Sequence, residues 1–260
     1  MNQDGSGVIE EVMSRRNHIS RKAPRIKGAS TRGERLEQKI AANIDNLVIV
    51  SSCKNPKFNN RAIDRFLVAG ESSHIHCVII INKIDLDKEE DYKTYSELYR
   101  KIGYEVVESS VNENIGYEQL HKVLDGKTNL IWGQSGVGKS SLLNWIYPNL
   151  KLKTGEVSSF SSKGKHTTVT SILNVIDENT RVIDTPGIRE IDPYGIREED
   201  LCHFFKDFED YINNCRFNTC THHHEPGCAV IEAVEDELIN TERYLSYLNI
   251  LESIEDDMNF

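Results

Sequence analysis

The chain has 260 residues and a formal net charge of −10, and 38% of its residues are hydrophobic. This length suffices for one large domain or for two to three small ones. No apolar run reaches the roughly 18 residues that a membrane span needs, and the N-terminus lacks the apolar core of a signal peptide. These features exclude a membrane-spanning or secreted protein, so we expect a soluble, cytoplasmic one.

A basic segment near the N-terminus opposes the acidic balance of the chain. Between Ser14 and Lys39 there are nine Lys or Arg residues and two acids, a net charge of +7 that leaves −17 for the remainder. The segment has no sustained periodicity, so we expect a mobile loop, preceded by a short strand within Val8–Met13. Because local and global charge are opposite, contact with RNA phosphates is favoured over a merely solvated loop.

Two apolar runs that flank an amphipathic stretch predict a strand-helix-strand unit of a parallel sheet. The strands are Asn46–Val50 and Cys77–Ile81, and the helix is Asn60–Ala69. The second strand leads into an N-K-x-D motif at the sheet edge where ligands of open α/β sheets bind. A carboxylate there, Asp85, can accept the N1–H and N2–H₂ donors of guanine, which adenine does not offer. The motif comprises Asn82, Lys83, Ile84 and Asp85.

A second loop for the guanine base is predicted after the next strand. The pattern indicates a helix over Tyr92–Ile102, a strand over Tyr104–Glu108 and a helix over 116–124. Between the last two lie Ser109, Ser110 and Val111, whose backbone N–H and hydroxyl groups are suited to a base carbonyl.

A glycine-rich turn between an apolar run and a helical pattern predicts a phosphate-binding loop. Backbone N–H groups of such a loop converge on phosphates, and the following helix contributes the positive end of its dipole. In this pattern Lys139 reaches the β- and γ-phosphates, and the Ser140 hydroxyl binds Mg²⁺. The residues are Gly133, Gln134, Ser135, Gly136, Val137, Gly138, Lys139, Ser140 and Ser141.

Two further segments carry the features expected around a γ-phosphate. Strands predicted over 171–176 and 181–183 lead into a D-x-x-G motif, in which Asp184 faces Mg²⁺ and the Gly187 N–H faces the γ-phosphate. The next position is Ile188, whose apolar side chain cannot orient an attacking water. We therefore hypothesise that His166, in a Ser/Lys/Gly-rich loop, supplies this role; the alternative is that His166 is simply a solvated loop residue.

A cluster of cysteine and histidine predicts a closed tetrahedral zinc site. Cys215, Cys220 and Cys228 supply three thiolates, and His222, His223 and His224 are rival sources of the fourth ligand. Helical patterns flank the cluster at 200–213 and 229–251. Their apolar surface is small, so a metal would stabilise this region. Cys53, Cys77 and Cys202 are interpreted as core or incidental residues.

The order of these motifs is unusual, because the guanine loop precedes the phosphate loop. The chain resembles the bacterial ribosome small-subunit-dependent GTPase A family, whose members are circularly permuted. The resemblance implies that His222 is the fourth zinc ligand and that Thr168 contacts Mg²⁺ and the γ-phosphate, with Thr167 as its rival. It rests on 41–45 (Ala-Ala-Asn-Ile-Asp), Asn82 to Asp85, Gly133 to Asn144, Gly164 to Thr168, Asp184 to Gly187, and the cysteine and histidine cluster with Ala229 and Val230.

The resemblance further implies a fold and a function. The expected fold is α/β: an OB-like segment with the basic loop at 1–40, a circularly permuted P-loop GTPase domain at 41–198, and a helical zinc-binding domain at 199–260. Since an OB barrel has about five strands, the first strands of the barrel are expected to be missing. The expected function is GTP hydrolysis in late maturation of the 30S ribosomal subunit, with GTP/GDP, Mg²⁺ and one structural Zn²⁺.

The expected partners are the 30S subunit and 16S rRNA, without a membrane, and the protein is expected to be a monomer. Two alternatives remain open on sequence. One is a P-loop ATPase or kinase, which the N-K-x-D motif disfavours. The other is a nucleotide-regulated RNA-binding module without significant turnover, and only a turnover measurement separates it from a GTPase.

Overall fold

The computed structural model describes residues 10–23, 36–153, 171–185, 191 and 194–258. Its strands are β1 (His18–Lys22), β2 (Glu37–Ala42), β3 (Asn46–Ser52), β4 (His76–Asn82), β5 (Glu105–Ser109), β6 (Thr128–Trp132), β7 (Ile172–Val175) and β8 (Arg181–Asp184). Its α-helices are α1 (Asn60–Ser72), α2 (Tyr92–Ile102), α3 (Tyr117–Leu124), α4 (Lys139–Ile146), α5 (Ala229–Glu235) and α6 (Thr241–Met258).

The central feature is a six-stranded sheet in the order β5-β4-β3-β6-β8-β7. Neighbouring strands from β5 to β8 run parallel, and only β7 is antiparallel to its neighbour. In such a sheet the carboxyl ends of the parallel strands share one edge. The predicted strand-helix-strand unit is confirmed as β3, α1 and β4, with Leu47 opposite Cys77 and Val50 opposite Ile80.

Helices cover both faces of this sheet, which explains why its inner strands are apolar without alternation. On one face Leu47, Ile49 and Ile79 pack with Phe66 of α1 and Tyr99 of α2. On the other face, residues of β3, β4 and β6 pack against α3 and α4; they include Val48, Ile80, Ile131, Leu120 and Leu142. The sheet is therefore held between two apolar layers, and its carboxyl edge remains available for ligands.

The N-terminal expectations need correction. Val12 and Met13 are exposed and lie outside any strand, whereas β1 lies inside the segment that we expected to be a loop and pairs with β2, which begins inside that segment. Ile19, which is 1% exposed, anchors this pair in the core, so one buried side chain outweighs the weak periodicity of its charged neighbours. The strand expected at Val8–Met13 is wrong for its described residues 10–13; residues 8 and 9 and the middle of the basic segment, 24–35, lie outside the described residues.

The segment 200–213 is not the expected α-helix. It forms three consecutive 3₁₀ turns, at Glu198–Phe204, Lys206–Phe208 and Ile212–Asn214. Phe205 interrupts them with an extended backbone (φ −108°, ψ 98°). Its ring and that of Phe208 pack around Tyr247 of α6, so tertiary burial of the aromatic side chains overrides the helical pattern.

The C-terminal region has a core of its own. Phe205, Phe208, Val230, Tyr247 and Ile250 are buried together, and Val68 of α1 joins them. This core is larger than the small apolar surface that we expected for the region. Among the described helices, none combines the length and apolar character needed to cross a bilayer.

Candidate nucleotide and metal sites

Three of the predicted nucleotide motifs meet at the carboxyl edge of the sheet. Asn82 ends β4, Gly133 follows β6, and Asp184 ends β8 in register with Ile131 of β6. The motifs are therefore neighbours in space although the guanine motif comes first in the chain. Joining former termini and cutting a surface loop changes the connectivity of a fold and leaves its packing intact.

The phosphate loop is tightly packed against the guanine motif. Asn82 is 2% exposed, and its Nδ2 donates to the Val137 carbonyl at 2.8 Å. Gly138 has φ +102°, and a Cβ built there would lie 2.4 Å from Asn82 Nδ2. Only glycine allows both this backbone conformation and this approach. The glycine of the motif thus brings two loops into contact that are 55 residues apart in sequence.

Lys83 also ties these loops together. Its Nζ donates to the Gly136 carbonyl at 2.6 Å and to the Asn55 carbonyl at 2.5 Å. The loop that follows β3 is therefore part of the same assembly, and Pro56 would lie 3.7 Å from a Cβ at Gly136. This loop is not recognisable from sequence, because neither the spacing nor the residue types around Asn55 carry a nucleotide signature.

Lys139 and Asp184 are two partly buried charges at the phosphate end of the site. Lys139 Nζ donates to the carbonyls of Gly133 (2.6 Å) and Gln134 (3.0 Å). Burial lowers the pKa of Lys139, and the nearby carboxylate of Asp184 opposes this effect. Burial likewise raises the pKa of Asp184, opposed by Lys139. Binding of a phosphate beside Lys139 and of a cation beside Asp184 would stabilise the charged forms of both side chains, because each would then face a partner of opposite sign.

The base end of the site is ordered by side-chain hydrogen bonds. Ser109 Oγ donates to Asn82 Oδ1 at 3.1 Å, and Ser110 Oγ donates to Asp85 Oδ1 at 2.6 Å. Asn112 Nδ2 donates to Asp85 Oδ2 at 3.1 Å. Burial opposes ionisation of Asp85, but these hydrogen bonds outweigh it and lower the pKa of the carboxyl. Asp85 can therefore accept a pair of hydrogen-bond donors as an ionised carboxylate. Asn112 was not among the predicted site residues, because it follows the three predicted residues of this loop.

The other predicted members of this site are placed by the same loops, or lie outside the described residues. Val137 and Ile84 are buried, Val111 packs beside α3, and Ser140 and Ser141 lie in the first turn of α4 with its free N–H groups. His166, Thr167, Thr168, Gly187 and Ile188 lie outside the described residues.

The predicted metal ligands form a compact cluster. One ligand atom from each of Cys215, Cys220, His222 and Cys228 lies within 4.8 Å of the others. His222 Nδ1 is 3.5 Å from Cys215 Sγ and 3.4 Å from Cys228 Sγ, and these two sulfurs are 3.9 Å apart. Zn–S bonds of about 2.3 Å and Zn–N bonds of about 2.0 Å in a tetrahedron imply edges of roughly 3.8 and 3.5 Å. The cluster therefore fits a tetrahedral zinc ion.

The surroundings of the cluster select one histidine. His222 is 2% exposed, and burial lowers its pKa, which favours the neutral imidazole that a metal requires. His223 and His224 are exposed and point their backbone N–H groups at the Glu225 carboxylate. Burial also raises the pKa of Cys220, so this thiol would stay protonated unless a cation stabilised its thiolate.

Helix α6 supports the ligand loop from outside. Tyr244 Oη donates to the His222 carbonyl at 2.8 Å, and Tyr247 Oη donates to the Thr221 carbonyl at 2.6 Å. These two bonds attach the backbone of the ligand loop to α6 at Thr221 and His222. Neither tyrosine is recognisable from sequence, since both look like ordinary core residues of an amphipathic helix.

Comparison with known proteins gives consistent matches. The family model described as RsgA GTPase matches residues 12–194. The small ribosomal subunit biogenesis GTPase RsgA of Phocaeicola vulgatus is 39% identical, over 98% of this chain and 81% of that protein. The protein of the same description from Chlorobaculum parvum is 41% identical, over 96% of this chain and 79% of that protein.

Solved structures agree with this result. YjeQ from Thermotoga maritima superposes with a TM-score of 0.75 and 35% identity, covering 97% of this chain and 80% of that one. YloQ, described as a circularly permuted GTPase, has a TM-score of 0.70 and 32% identity, covering 98% and 78%. The order of motifs, the sheet that reunites them and these matches together show that the chain is a circularly permuted GTPase of the RsgA GTPase family.

Proposed function

We propose that this protein hydrolyses GTP during late maturation of the small ribosomal subunit and that the 30S subunit stimulates the reaction. The relatives named as small ribosomal subunit biogenesis GTPases support this assignment. The observation that carries it is the hydrogen bond from Asn82 to Val137, which joins a guanine-selective motif directly to the phosphate loop. A nucleotide held by both loops has its base and its phosphates fixed in one rigid frame.

In this proposal the nucleotide lies along the carboxyl edge of the sheet. Asp85 accepts the guanine donors, the N–H groups at the start of α4 receive the phosphates, and Lys139 leaves its loop carbonyls to contact the β- and γ-phosphates. Ser140, Asp184 and Thr168 hold Mg²⁺. The remaining contacts come from Asn82, Lys83, Ile84, Ser109, Ser110, Val111, Gly133, Gln134, Ser135, Gly136, Val137, Gly138, Ser141 and Gly187.

Hydrolysis requires a group that orients the attacking water. Ile188 cannot do so, and we assign this role to His166 when the protein is bound to the ribosomal subunit. His166→Ala should lose the 30S-stimulated turnover while its affinity for GTP stays normal. Stimulated turnover equal to that of the unchanged protein would refute the assignment.

We further propose a three-part division of the chain at 1–40, 41–198 and 199–260, although β2 crosses the first of these boundaries. The β1–β2 pair forms a separate two-stranded sheet, in keeping with an OB-like segment, and the C-terminal region has its own core. Cys215, Cys220, His222 and Cys228 hold one structural Zn²⁺. Four protein ligands leave no open coordination position, so the ion acts on stability and not on the reaction.

The basic segment is proposed to contact 16S rRNA. Part of its charge is already paired, since Arg16 lies 2.6 Å from Asp45 and Lys39 contacts Glu37. Exposed pairs of this kind contribute little and exchange readily for phosphate contacts. We further propose a cytoplasmic monomer, since a factor that docks onto a large particle needs no self-association.

The test is GTP hydrolysis by the purified protein alone, with 30S subunits, and with 50S subunits as the control. Stimulation by 30S alone is the expected result. Equal slow rates in all three samples would refute stimulated GTP hydrolysis and favour a nucleotide-regulated RNA-binding module. An equal preference for ATP and GTP would instead favour a general P-loop ATPase.

A further inference from the structure

The Asp85 carboxylate, which is proposed to bind guanine, accepts a second hydrogen bond from a residue outside the predicted motifs. Asp85 Oδ1 receives the Ser110 hydroxyl at 2.6 Å, and Asp85 Oδ2 receives the Asn112 amide at 3.1 Å. Each carboxylate oxygen has two lone-pair sites, so a carboxylate can accept about four hydrogen bonds. One donor on each oxygen therefore leaves one site on each oxygen for the donor pair of guanine.

The loop that carries Asn112 is closed on itself. Ser110 and Ile115 exchange two backbone hydrogen bonds, of 3.1 and 2.9 Å. Inside this closure the Glu113 N–H donates to Ser110 Oγ at 3.1 Å, which directs the Ser110 hydroxyl proton towards Asp85. Asn112 is thus held at a fixed distance from Asp85 although its side chain is exposed.

The phosphate-binding helix fixes the same loop from the other side. Trp145 of α4 donates its indole N–H to Asn114 Oδ1 at 3.2 Å, and its ring packs edge-on against Tyr117 at 5.2 Å between centroids. The loop also approaches β5 closely, since a Cβ at Gly116, where φ is +87°, would lie 2.4 Å from the Glu108 carbonyl oxygen. The position of Asn112 is therefore set by the sheet and by α4 together.

An aspartate carboxyl group rotates easily about its last torsion, since that torsion has broad minima. The hydrogen bonds from Ser110 and Asn112 to opposite oxygens fix the plane of the Asp85 carboxylate. Only one orientation of this plane allows the carboxylate to accept hydrogen bonds from N1–H and N2–H₂ of guanine at the same time. We propose that Asn112 is a positioning residue for guanine specificity, which holds Asp85 Oδ2 so that the carboxylate accepts both donors of guanine.

This inference rests on the proposed binding of GTP by Asp85 and extends it to a residue outside the motif. It predicts an effect on base selectivity and not on phosphate binding. Asn112→Ala should therefore lower the preference for GTP over inosine triphosphate, which keeps N1–H and lacks the exocyclic amino group. The expected decrease is roughly three- to tenfold, which corresponds to the usual net contribution of one hydrogen bond.

The experiment measures the dissociation constants of GTP, inosine triphosphate and ATP by titration of the full chain. Glu113→Ala is the matched control, because it changes the next side chain and leaves its backbone N–H bond to Ser110 in place. Because the triphosphate is the same in all ligands, damage to the phosphate loop cancels in the ratio. A double-mutant cycle with Asp85→Ala completes the design: in that background Asn112→Ala should change the ratio no further.

The possible outcomes are distinct. A lower ratio in Asn112→Ala alone supports the inference. An unchanged ratio refutes it, and so does tighter GTP binding, which would mean that Asn112 occupies the place of the base. If the unchanged protein itself shows no preference for GTP over ATP, the proposed function fails and not only the role of Asn112.

Discussion

Arg243 links the C-terminal region to the sheet domain through a buried ionic network. Its Nη1 lies 2.6 Å from Asp64 Oδ1 of α1, and its Nη2 lies 2.7 Å from Asp207 Oδ1. Tyr99 Oη donates to the same oxygen of Asp64 at 2.8 Å. The side chains of Arg243 and Asp64 are 1% and 0% exposed, so neither charge can turn to water if the other is removed.

Arg243→Met should therefore destabilise the protein by about 3–5 kcal/mol, the usual cost when one partner of a buried pair is removed. The Arg243 guanidinium also lies over the Phe205 ring, with Cζ 4.6 Å from the ring centroid, and Met removes this contact as well. Because Met keeps an apolar stem at this position, the main loss is electrostatic. Burial already raises the pKa of Asp64, with Arg243 opposing it. Without Arg243 the pKa rises further, and Asp64 becomes protonated in the folded state.

This change gives the variant a specific pH dependence. In Arg243→Met the folded state binds a proton at Asp64 that the unfolded chain does not bind at neutral pH. Its stability relative to the unchanged protein should thus recover as the pH falls from the folded pKa of Asp64 in the variant towards its lower folded pKa in the unchanged protein, by about 1.4 kcal/mol per pH unit.

The assay is urea denaturation at pH 7 and at pH 5.5, followed by circular dichroism. The control is Asp64→Asn combined with Arg243→Met, which has no carboxyl at position 64. Because both variants keep the cysteine and histidine cluster, any titration of that cluster is the same in both. A cost below about 1 kcal/mol at pH 7 would refute the electrostatic argument. So would an equal pH dependence in the single and double variants, since it would show that packing and not charge is lost.

Three further predictions concern the nucleotide and metal sites. Asp85→Asn should change the base preference from guanine to xanthine, because the amide offers one donor and one acceptor where the carboxylate offers two acceptors. Competition binding with the two nucleotides checks this, and an unchanged preference for guanine would show that Asp85 does not contact the base. Gly138→Ala should weaken GTP binding at least about tenfold, because the positive φ and the 2.4 Å approach to Asn82 both oppose a Cβ. Titration with GTP measures this loss, and normal affinity would contradict the proposed loop geometry. Cys228→Ser should reduce the zinc content of the purified protein, whereas Cys202→Ala, buried outside the cluster, should retain it; elemental analysis decides, and equal zinc in both would show that the cluster is not the site.

Much of the nucleotide site could be predicted from sequence because its chemistry is local. A glycine-rich turn and a lysine within nine residues, between an apolar run and a helical pattern, are sufficient to predict a phosphate loop. The helix over Tyr92–Ile102 was predicted with its observed bounds, since its amphipathic period and the following Gly103 in a left-handed conformation are also local signals. The ligand spacing of Cys215, Cys220 and Cys228 is local in the same sense.

Periodicity failed where a residue pattern fits two structures and a distant partner chooses between them. The aromatic residues of 200–213 match a helix, but packing around Tyr247 imposes 3₁₀ turns. Likewise, β1 and β2 hold few apolar residues, and each becomes a strand only by pairing with the other.

By itself, the sequence determined that this chain has an N-K-x-D motif, a glycine-rich phosphate-loop motif and a candidate set of metal ligands, because each is encoded within one short stretch of the chain. Tertiary structure alone decided how they act together. The bond between Asn82 and Val137 spans 55 residues, and the pair of Arg243 with Asp64 spans 179. The pattern of apolar residues in the sequence can indicate that a segment is buried. It does not identify the residue that each buried side chain contacts, because that depends on which surfaces the completed fold brings together.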